Sequence, residues 1–460
     1  MDYVGIWDFI LVPFFLVLVH YVASRTYSKN ISTNPEYKYY RKGLLFKVYG
    51  GLLFALVYAF YYDGGDTMIY WKDAKILNTV IFTEPICYLK ILFGDTRPLW
   101  FYCFDLTEYV PHHYLRDQQA YSVSRLSAPF ALLSVDSFFG CTILVAWVCF
   151  GGIWRLYRVF VEEYPHLQKE LAIAFLFIPS VAFWGSGVMK DTYTLTAACW
   201  MTSSVYGLFL KRRNVFWNLV YVFFSAYVMI TMKPYIFVAL LPGTLIWVVF
   251  NRIQRVENQV VKILAAPVII MVGFVLGSGI FAQTAGQLED YASVDTILNK
   301  AVATQEDLKR DAYEGNTFDI GTIDPSLGGL ASKAPVAIFA GLFRPTLLDV
   351  KSPIMLVSAV ENTIMMVFLM YMIYSVGVFS FLKHLFTKPM IMFSFVFAVF
   401  FAFAVGLTTS NFGSLVRYKI PSLPFLLASL YMMRFHKQEE SGAFKFEDAS
   451  DESSQVSDKK

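Results

Sequence analysis

The chain has 460 residues, of which 57% are hydrophobic, 18% aromatic and only 16% charged, and its mean hydropathy is +0.51. This composition excludes an ordinary soluble domain and is typical of a polytopic membrane protein. The net charge of +3 is small, and the chain has neither a basic patch nor a nucleic-acid-binding motif, so we expect no nucleic acid partner.

The apolar stretches are near-continuous runs rather than ten-residue alternations, so they predict membrane-spanning helices and not a β-barrel. We therefore predict an all-α polytopic fold with about eleven spans in a single transmembrane domain, residues 1–436. The predicted spans are 6–23, 44–62, 137–157, 170–187, 191–210, 215–232, 235–251, 261–282, 356–382, 389–408 and 416–434.

Basic residues in the short loops predict the orientation, because cytoplasmic loops of membrane proteins carry an excess of Lys and Arg. They fall on one side of the membrane if the N-terminus is outside and the C-terminus inside. They are Arg25, Lys29, Lys38, Arg41, Lys42, Arg155, Arg158, Lys169, Lys211, Arg212, Arg213, Arg252, Arg255, Lys262, Lys383, Lys388, Arg434 and Lys437. We expect a bacterial inner membrane protein whose active face points outward.

Two long hydrophilic segments, 63–135 and 283–351, then face outward. The first is rich in aromatic residues and predicts amphipathic helices on the membrane surface. It also holds Cys87 and Cys103, which can form a disulfide if it faces an oxidising compartment; the sequence leaves this open. The second segment has a polar helical part, 295–310, and a Gly- and Asp-rich part, 314–329. The charged tail, 437–460, is predicted to be disordered and cytoplasmic.

Residues 183–191, Phe-Trp-Gly-Ser-Gly-Val-Met-Lys-Asp, lie between two apolar runs and predict the tip of a helical hairpin. Gly185 and Gly187 allow a tight reversal there. Lys190 and Asp191 then stand at the membrane face, where a charge is costly unless it is paired or hydrated, so both are candidate residues for binding a substrate or its phosphate. The alternative is a plain interfacial turn, with Lys190 extended to the headgroups and Trp184 in the aromatic belt.

Asp63 and Asp66 stand where the second predicted span emerges from the membrane. A carboxylate at this edge is a candidate general base, Asp66 first and Asp63 second. The alternative is a turn in which Asp66 is the N-cap of a surface helix and the aromatic residues Tyr70 and Trp71 contact lipid headgroups.

Four further charged residues are candidates for binding the substrate or its phosphate group at the same face. Arg344 can bind a phosphate through two nitrogens, or it can pair with lipid headgroups or with Asp349. Arg417 and Lys419 stand at the outer, N-terminal end of the last span, where an anion is favoured. Glu361 lies inside a predicted span, and its alternative role is a structural hydrogen bond to a basic residue.

The sequence specifies no cofactor. The six histidines have no metal-ligand spacing, so we predict no metal site. No phosphate-binding loop or dinucleotide-binding motif is present either. The need for a divalent cation stays open.

At two places the chain resembles the GT-C superfamily of membrane glycosyltransferases. One is the Asp-containing first outer segment, Asp63-Gly-Gly-Asp-Thr-Met-Ile-Tyr-Trp-Lys-Asp-Ala74. The other is Arg417-Tyr-Lys-Ile-Pro-Ser-Leu-Pro-Phe425, which is similar to the Arg-Tyr-x-x-Pro-x-x-Pro endings of such enzymes. The chain lacks the Asp-Glu pair seen in many members, and it also lacks the Trp-Trp-Asp motif of the oligosaccharyltransferase type. These departures leave the subfamily and the choice of base open.

The resemblance implies a polyprenyl-phosphate-linked sugar as donor, a glycan or lipid-linked acceptor, and an inverting reaction at the outer face of the bilayer. The residues named above leave three other functions open. They are a polysaccharide repeat-unit polymerase or ligase, a transporter or flippase for a lipid-linked or anionic substrate, and a non-catalytic membrane scaffold.

Overall fold

The computed structural model describes residues 4–94, 103, 117–135, 137–253, 303, 317–321 and 327–442. These residues form helices and no β-strand, which confirms the predicted all-α class. In chain order the first helices are α1 (Ile6–Asn30), α2 (Tyr40–Leu56), α3 (Asp66–Thr83), α4 (Pro85–Phe93), α5 (Gln118–Leu133), α6 (Phe138–Glu163), α7 (Gln168–Leu176), α8 (Pro179–Trp184) and α9 (Lys190–Val205). They are followed by α10 (Val215–Met232), α11 (Pro234–Ile253), α12 (Leu327–Phe343), α13 (Pro353–Val376), α14 (Val378–Thr387), α15 (Pro389–Thr408), α16 (Phe412–Tyr418) and α17 (Ser422–Glu440).

Seven of the described helices are long and apolar enough to cross a membrane, so the protein is an integral, multi-pass membrane protein. These candidate spans are Ile6–Asn30, Pro35–Tyr61, Phe138–Glu163, Val215–Met232, Pro234–Asn251, Met355–Val376 and Pro389–Thr408. The predicted count of about eleven is not reached among the described residues and stays a prediction.

Of the remaining four predicted spans, 261–282 lies outside the described residues. The structure accounts for the other three. Span 170–187 is two short helices, α7 and α8, separated at the residues before Pro179, because proline disfavours a helical residue in front of it. Spans 191–210 and 416–434 correspond to α9 and α17, which are almost wholly surrounded by other helices. A helix enclosed by protein tolerates more serine and threonine than a lipid-facing helix does, because neighbouring helices supply hydrogen-bond partners.

Two predicted boundaries differ from the structure. The span predicted at 356–382 ends as α13 at Val376, because Gly377 has a positive φ of 80° and turns the chain into α14. The segment predicted as the second outward loop contains α12, an apolar helix of 17 residues that packs in the bundle. Hydropathy does not predict α12 as a span, because Lys333 and Pro335 interrupt an apolar run that is already short for a span.

The contact between α12 and α15 depends on small residues spaced four apart on both helices. Ala337 and Gly341 on α12 face Ala402 and Gly406 on α15. A Cβ atom added to Gly341 would lie 2.0 Å from the carbonyl oxygen of Ala402, and one added to Gly406 would lie 1.9 Å from that of Ala337. Close approach of two helix backbones through such residues is a common way to join membrane helices.

Candidate functional site

Asp66 is placed by a sharp turn at one end of α2. A π-helical turn continues α2 to Tyr61, and residues 63–65 then all have a positive φ, of 50°, 139° and 108°. Two of these three residues are glycines, which adopt this conformation without steric cost. Asp66 is the first residue of α3, and Gly65 is the N-cap. The alternative interpretation of this stretch is therefore wrong in detail, since Tyr70 and Trp71 are buried rather than exposed to headgroups.

Arg417 lies between two carboxylates that come from distant parts of the chain. Its Nη2 atom is 3.8 Å from Asp66 Oδ2, and its Nε atom is 3.6 Å from Asp191 Oδ2. The Asp66 side chain is 45% exposed, that of Arg417 18% and that of Asp191 only 3%. The three residues thus form a row from the open surface into the protein interior.

Lys233 and Lys190 complete this cluster of charges. Lys233 Nζ donates a hydrogen bond to Asp191 Oδ1 at 2.5 Å and lies 4.0 Å from the ring centre of Tyr418. Burial lowers the pKa of Lys233 to about 8, although the pair with Asp191 opposes that shift. Lys190 pairs with Asp117 at 3.6 Å. Burial lowers the pKa of Lys190 as well, and the carboxylates around it only partly offset the effect.

We call these six residues the charge cluster: Asp66, Asp117, Lys190, Asp191, Lys233 and Arg417. Three carboxylates face three cations, so its formal charge is balanced. The two distances from Arg417 exceed the 2.7–2.9 Å typical of a charge-assisted hydrogen bond. The Nε atom of Arg417 has no hydrogen-bond acceptor within the described part of the chain. The Nε atom is therefore held by the charge of Asp191 and not by a hydrogen bond.

The loop before α9 sets the position of Lys190 and Asp191. It is buried, so the interpretation as an interfacial turn with Trp184 at the membrane surface is wrong. Neither Gly185 nor Gly187 has a positive φ. Gly187 is needed instead for close packing, because a Cβ atom there would lie 2.1 Å from the Phe54 ring. Lys47, buried in α2, donates a hydrogen bond to the carbonyl of Gly185 and so ties this loop to α2.

The charge of Arg344 is already paired with a carboxylate of the loop that follows α12. It forms hydrogen bonds to Asp349 at 2.6 and 3.2 Å and lies over the rings of Phe318 and Phe412 at 4.9 and 5.3 Å. Burial would raise the pKa of Asp349, but the hydrogen bonds from Arg344 and Thr346 outweigh it and lower that pKa. The structure therefore shows the pair with Asp349 that was the alternative to phosphate binding.

Lys419 and Glu361 also have protein partners. The ammonium of Lys419 is buried and donates to the carbonyls of Leu342 and Arg344, each at 3.1 Å, and to the side chain of Asn362. A lysine has three N–H donors, so all are used. Glu361 accepts hydrogen bonds from the backbone N–H of Ser180 at 2.9 Å and from its hydroxyl at 2.5 Å. Both residues connect helices and lie outside the charge cluster.

The structure thus gathers four of the eight predicted site residues, namely Asp66, Lys190, Asp191 and Arg417. Asp63 is exposed at the turn and makes no side-chain bond to the described residues. Sequence reasoning gave Lys233 only a minor part and missed Asp117 and Lys47. An Asp directly before a helix is typical of an N-cap, so its position gives no sign of a further role. Asp117 is indeed the N-cap of α5, because it accepts a hydrogen bond from Ala120 N–H at 3.0 Å.

Cys87 and Cys103 form a disulfide, with their Cα atoms 5.6 Å apart. This answers the question that the sequence left open. Both cysteines belong to the segment that follows Asp66.

Within the described ranges, no group of three or more His, Cys, Asp or Glu side chains is arranged to hold a metal ion. Comparison with known proteins gives no matching family model, no similar curated protein and no similar solved structure. The chemistry of this site must therefore be inferred from its geometry.

Proposed function

We propose that the protein is a membrane glycosyltransferase that moves a sugar from a polyprenyl-phosphate donor to an acceptor hydroxyl at the charge cluster. The observation that carries this proposal is the approach of Asp66 to within 3.8 Å of Arg417 at a partly exposed surface. A carboxylate beside a guanidinium offers the two groups that the reaction needs, a base and a stabiliser of phosphate charge. The resemblance to the GT-C superfamily suggests the same chemistry.

In this mechanism the oxygen of the acceptor hydroxyl attacks the anomeric carbon, and Asp66 accepts the proton of that hydroxyl. The bond between that carbon and the phosphate oxygen breaks, and the polyprenyl phosphate leaves with the electron pair. Arg417 stabilises the charge that develops on the departing phosphate, and Lys190 supports it. Asp191, which is itself held by Lys233, keeps Arg417 in place from the buried side. Attack opposite to the leaving group inverts the anomeric carbon.

The proposed topology has about eleven spans, with the N-terminus outside, the C-terminus inside and the charge cluster at the outer face of a bacterial inner membrane. The disulfide between Cys87 and Cys103 supports this side, because disulfides persist in oxidising compartments and are rare in the cytosol. The basic residues at the other ends of the helices support it independently.

The test is transfer by purified protein from a panel of short-chain polyprenyl-phosphate sugars, measured as released polyprenyl phosphate. We expect Asp66→Asn to lower the rate by about 10²–10⁴-fold, the usual contribution of a general base. Arg417→Gln should lower it as well. The matched control is Glu84→Gln in the same outer segment, which should retain the wild-type rate.

Folded Asp66→Asn protein with undiminished transfer would remove Asp66 as the base. Loss of transfer in Asp63→Asn alone would assign that role to Asp63. Comparing donors that bear one sugar with donors that bear a whole repeat unit separates this function from a polymerase or ligase.

A second candidate function is translocation of a lipid-linked or anionic substrate, favoured by one observation. The chain breaks between α7 and α8, and next to this break Glu361 accepts hydrogen bonds from Ser180. Broken helices with charged partners mark binding sites in many transporters. Substrate counterflow in proteoliposomes by the Asp66→Asn variant, without any sugar transfer by wild type, would favour translocation.

A further inference from the structure

A second site lies at the other end of the bundle from the charge cluster. It is a cavity of about 1000 Å³ between the C-terminal half of α6, the start of α10 and the loops at residues 34–37 and 213–214. α6 begins at Phe138, whose ring packs against Trp71 of α3, the helix that begins at Asp66. Arg155 of the cavity wall lies about 26 Å further along α6, so the two sites are well separated.

The cavity wall carries one positive charge in excess. Its charged residues are three arginines and two glutamates. Arg158 pairs with Glu36 at 3.1 Å, and Arg213 forms two hydrogen bonds to Glu162 at 2.6 and 3.1 Å.

Arg155 is the unpaired cation. It is half-buried, donates a hydrogen bond to the side chain of Asn218 and lies 4.3 Å from the ring centre of Tyr221. None of the described carboxylates forms an ion pair with it. A guanidinium whose remaining N–H groups face a cavity is suited to bind a phosphate through two nitrogens.

The other walls are aromatic and open toward the lipid. Trp154, Trp217 and Tyr221 line the cavity. Trp217 is 63% exposed, and its neighbour Phe216 on α10 is 70% exposed. Since α10 is one of the candidate spans, we expect this exposed face to contact lipid. A ligand with acyl chains can therefore enter from the lipid side and pack its chains against the aromatic wall. A soluble anion has no apolar part that could make this contact.

We propose that this cavity binds the phosphate-bearing headgroup of an anionic membrane lipid, with Arg155 contacting the phosphate. The volume is at the upper end of the range for ligand sites and exceeds what a single phosphate ion needs. Basic pockets between membrane helices on the cytoplasmic side are known to bind anionic lipid headgroups. The proposal concerns a site separate from the charge cluster and does not depend on sugar transfer.

The test is native mass spectrometry of the purified full chain with phosphatidylglycerol and, separately, with phosphatidylcholine. We expect wild type to retain the anionic lipid preferentially. Arg155→Gln should lower its affinity by about tenfold, as the loss of a charge-assisted hydrogen bond predicts. Arg434→Gln is the control, because Arg434 is exposed on α17, whose His436 contacts Tyr164 at this same end.

A second pair of variants keeps the proposal testable if Arg155→Gln does not fold. Trp217→Ala should weaken retention of phosphatidylglycerol severalfold, whereas Phe216→Ala, equally exposed and not in the cavity wall, should not. Equal retention by both members of either folded pair would overturn the proposal. Displacement of the lipid by millimolar glycerol phosphate would also overturn it, because it would identify a soluble phosphate compound as the ligand.

Discussion

Asp191 is the residue on which the candidate site depends most. It was predicted to contribute to phosphate binding, yet it is almost fully buried and faces two cations, Lys233 at 2.5 Å and Arg417 at 3.6 Å. A carboxylate in this position neutralises the cations and orients them. Asp66, by contrast, is the exposed acid of the charge cluster. Two aspartates that look alike in sequence thus have different roles because one is buried and the other is not.

This difference predicts an order of stability. Asp191→Asn should lower the free energy of unfolding by about 3–5 kcal/mol, because Lys233 is left buried without its carboxylate. Lys233→Met should cost less, because Asp191 keeps Arg417 as a partner. Thermal unfolding of the variants in one detergent at one scan rate measures both.

The control for this comparison is Lys211→Met at the opposite end of the bundle. Lys211 pairs with Glu162 and Glu163 at the surface, and exposed ion pairs contribute only about 0–1 kcal/mol. A larger loss in Lys233→Met than in Asp191→Asn would contradict the assigned role of Asp191.

At the scale of elements, the helices that carry the site are held by contacts between backbones as well as by side chains. α12 precedes Arg344, and α15 precedes the loop that leads to α16 and Arg417. These two helices are in close backbone contact at Gly341 and Gly406. Their spacing therefore affects the loops next to the charge cluster.

Gly341→Ala should destabilise the protein by about 1–3 kcal/mol, because the added methyl group cannot fit against Ala402 without moving a helix. Gly328→Ala on the same helix has open space around the added Cβ and should be neutral or slightly stabilising. Unfolding midpoints of the two variants are the measurement. Equal midpoints would show that the two helices are not tightly packed.

At the scale of the whole molecule, the protein presents two chemically different ends. One holds the charge cluster and the disulfide, and the other holds most of the basic residues and the aromatic cavity. If the first end faces outward, the two sites contact different leaflets of the membrane. This arrangement is consistent with the two proposed sites, one for a lipid-linked substrate in one leaflet and one for an anionic lipid headgroup in the other.

Cysteine labelling in intact cells tests this orientation. Tyr62→Cys and Lys42→Cys place exposed thiols at opposite ends of α2 and its π-helical extension, roughly 30 Å apart. A membrane-impermeant maleimide should label Tyr62→Cys in intact cells and Lys42→Cys only after permeabilisation. The parent protein is a suitable background, because its described cysteines are either buried or in the disulfide. The reverse pattern would place the charge cluster in the cytoplasm.

By itself, the sequence determined the all-helical membrane class, the positions of most spans and the choice of Asp66 and Arg417 as site candidates. These features follow from hydropathy and from charges at the ends of apolar runs, which are local properties of the chain. Only the tertiary structure decided which charges meet. Lys190, Asp191, Arg344 and Lys419 all stand at ends of helices. Nothing in the local sequence distinguishes a charged residue that can bind a substrate from one whose charge is already paired within the protein. The answer depends on how the helices pack, because packing sets both the distance to a partner and the access of water that determines whether a charge must be neutralised.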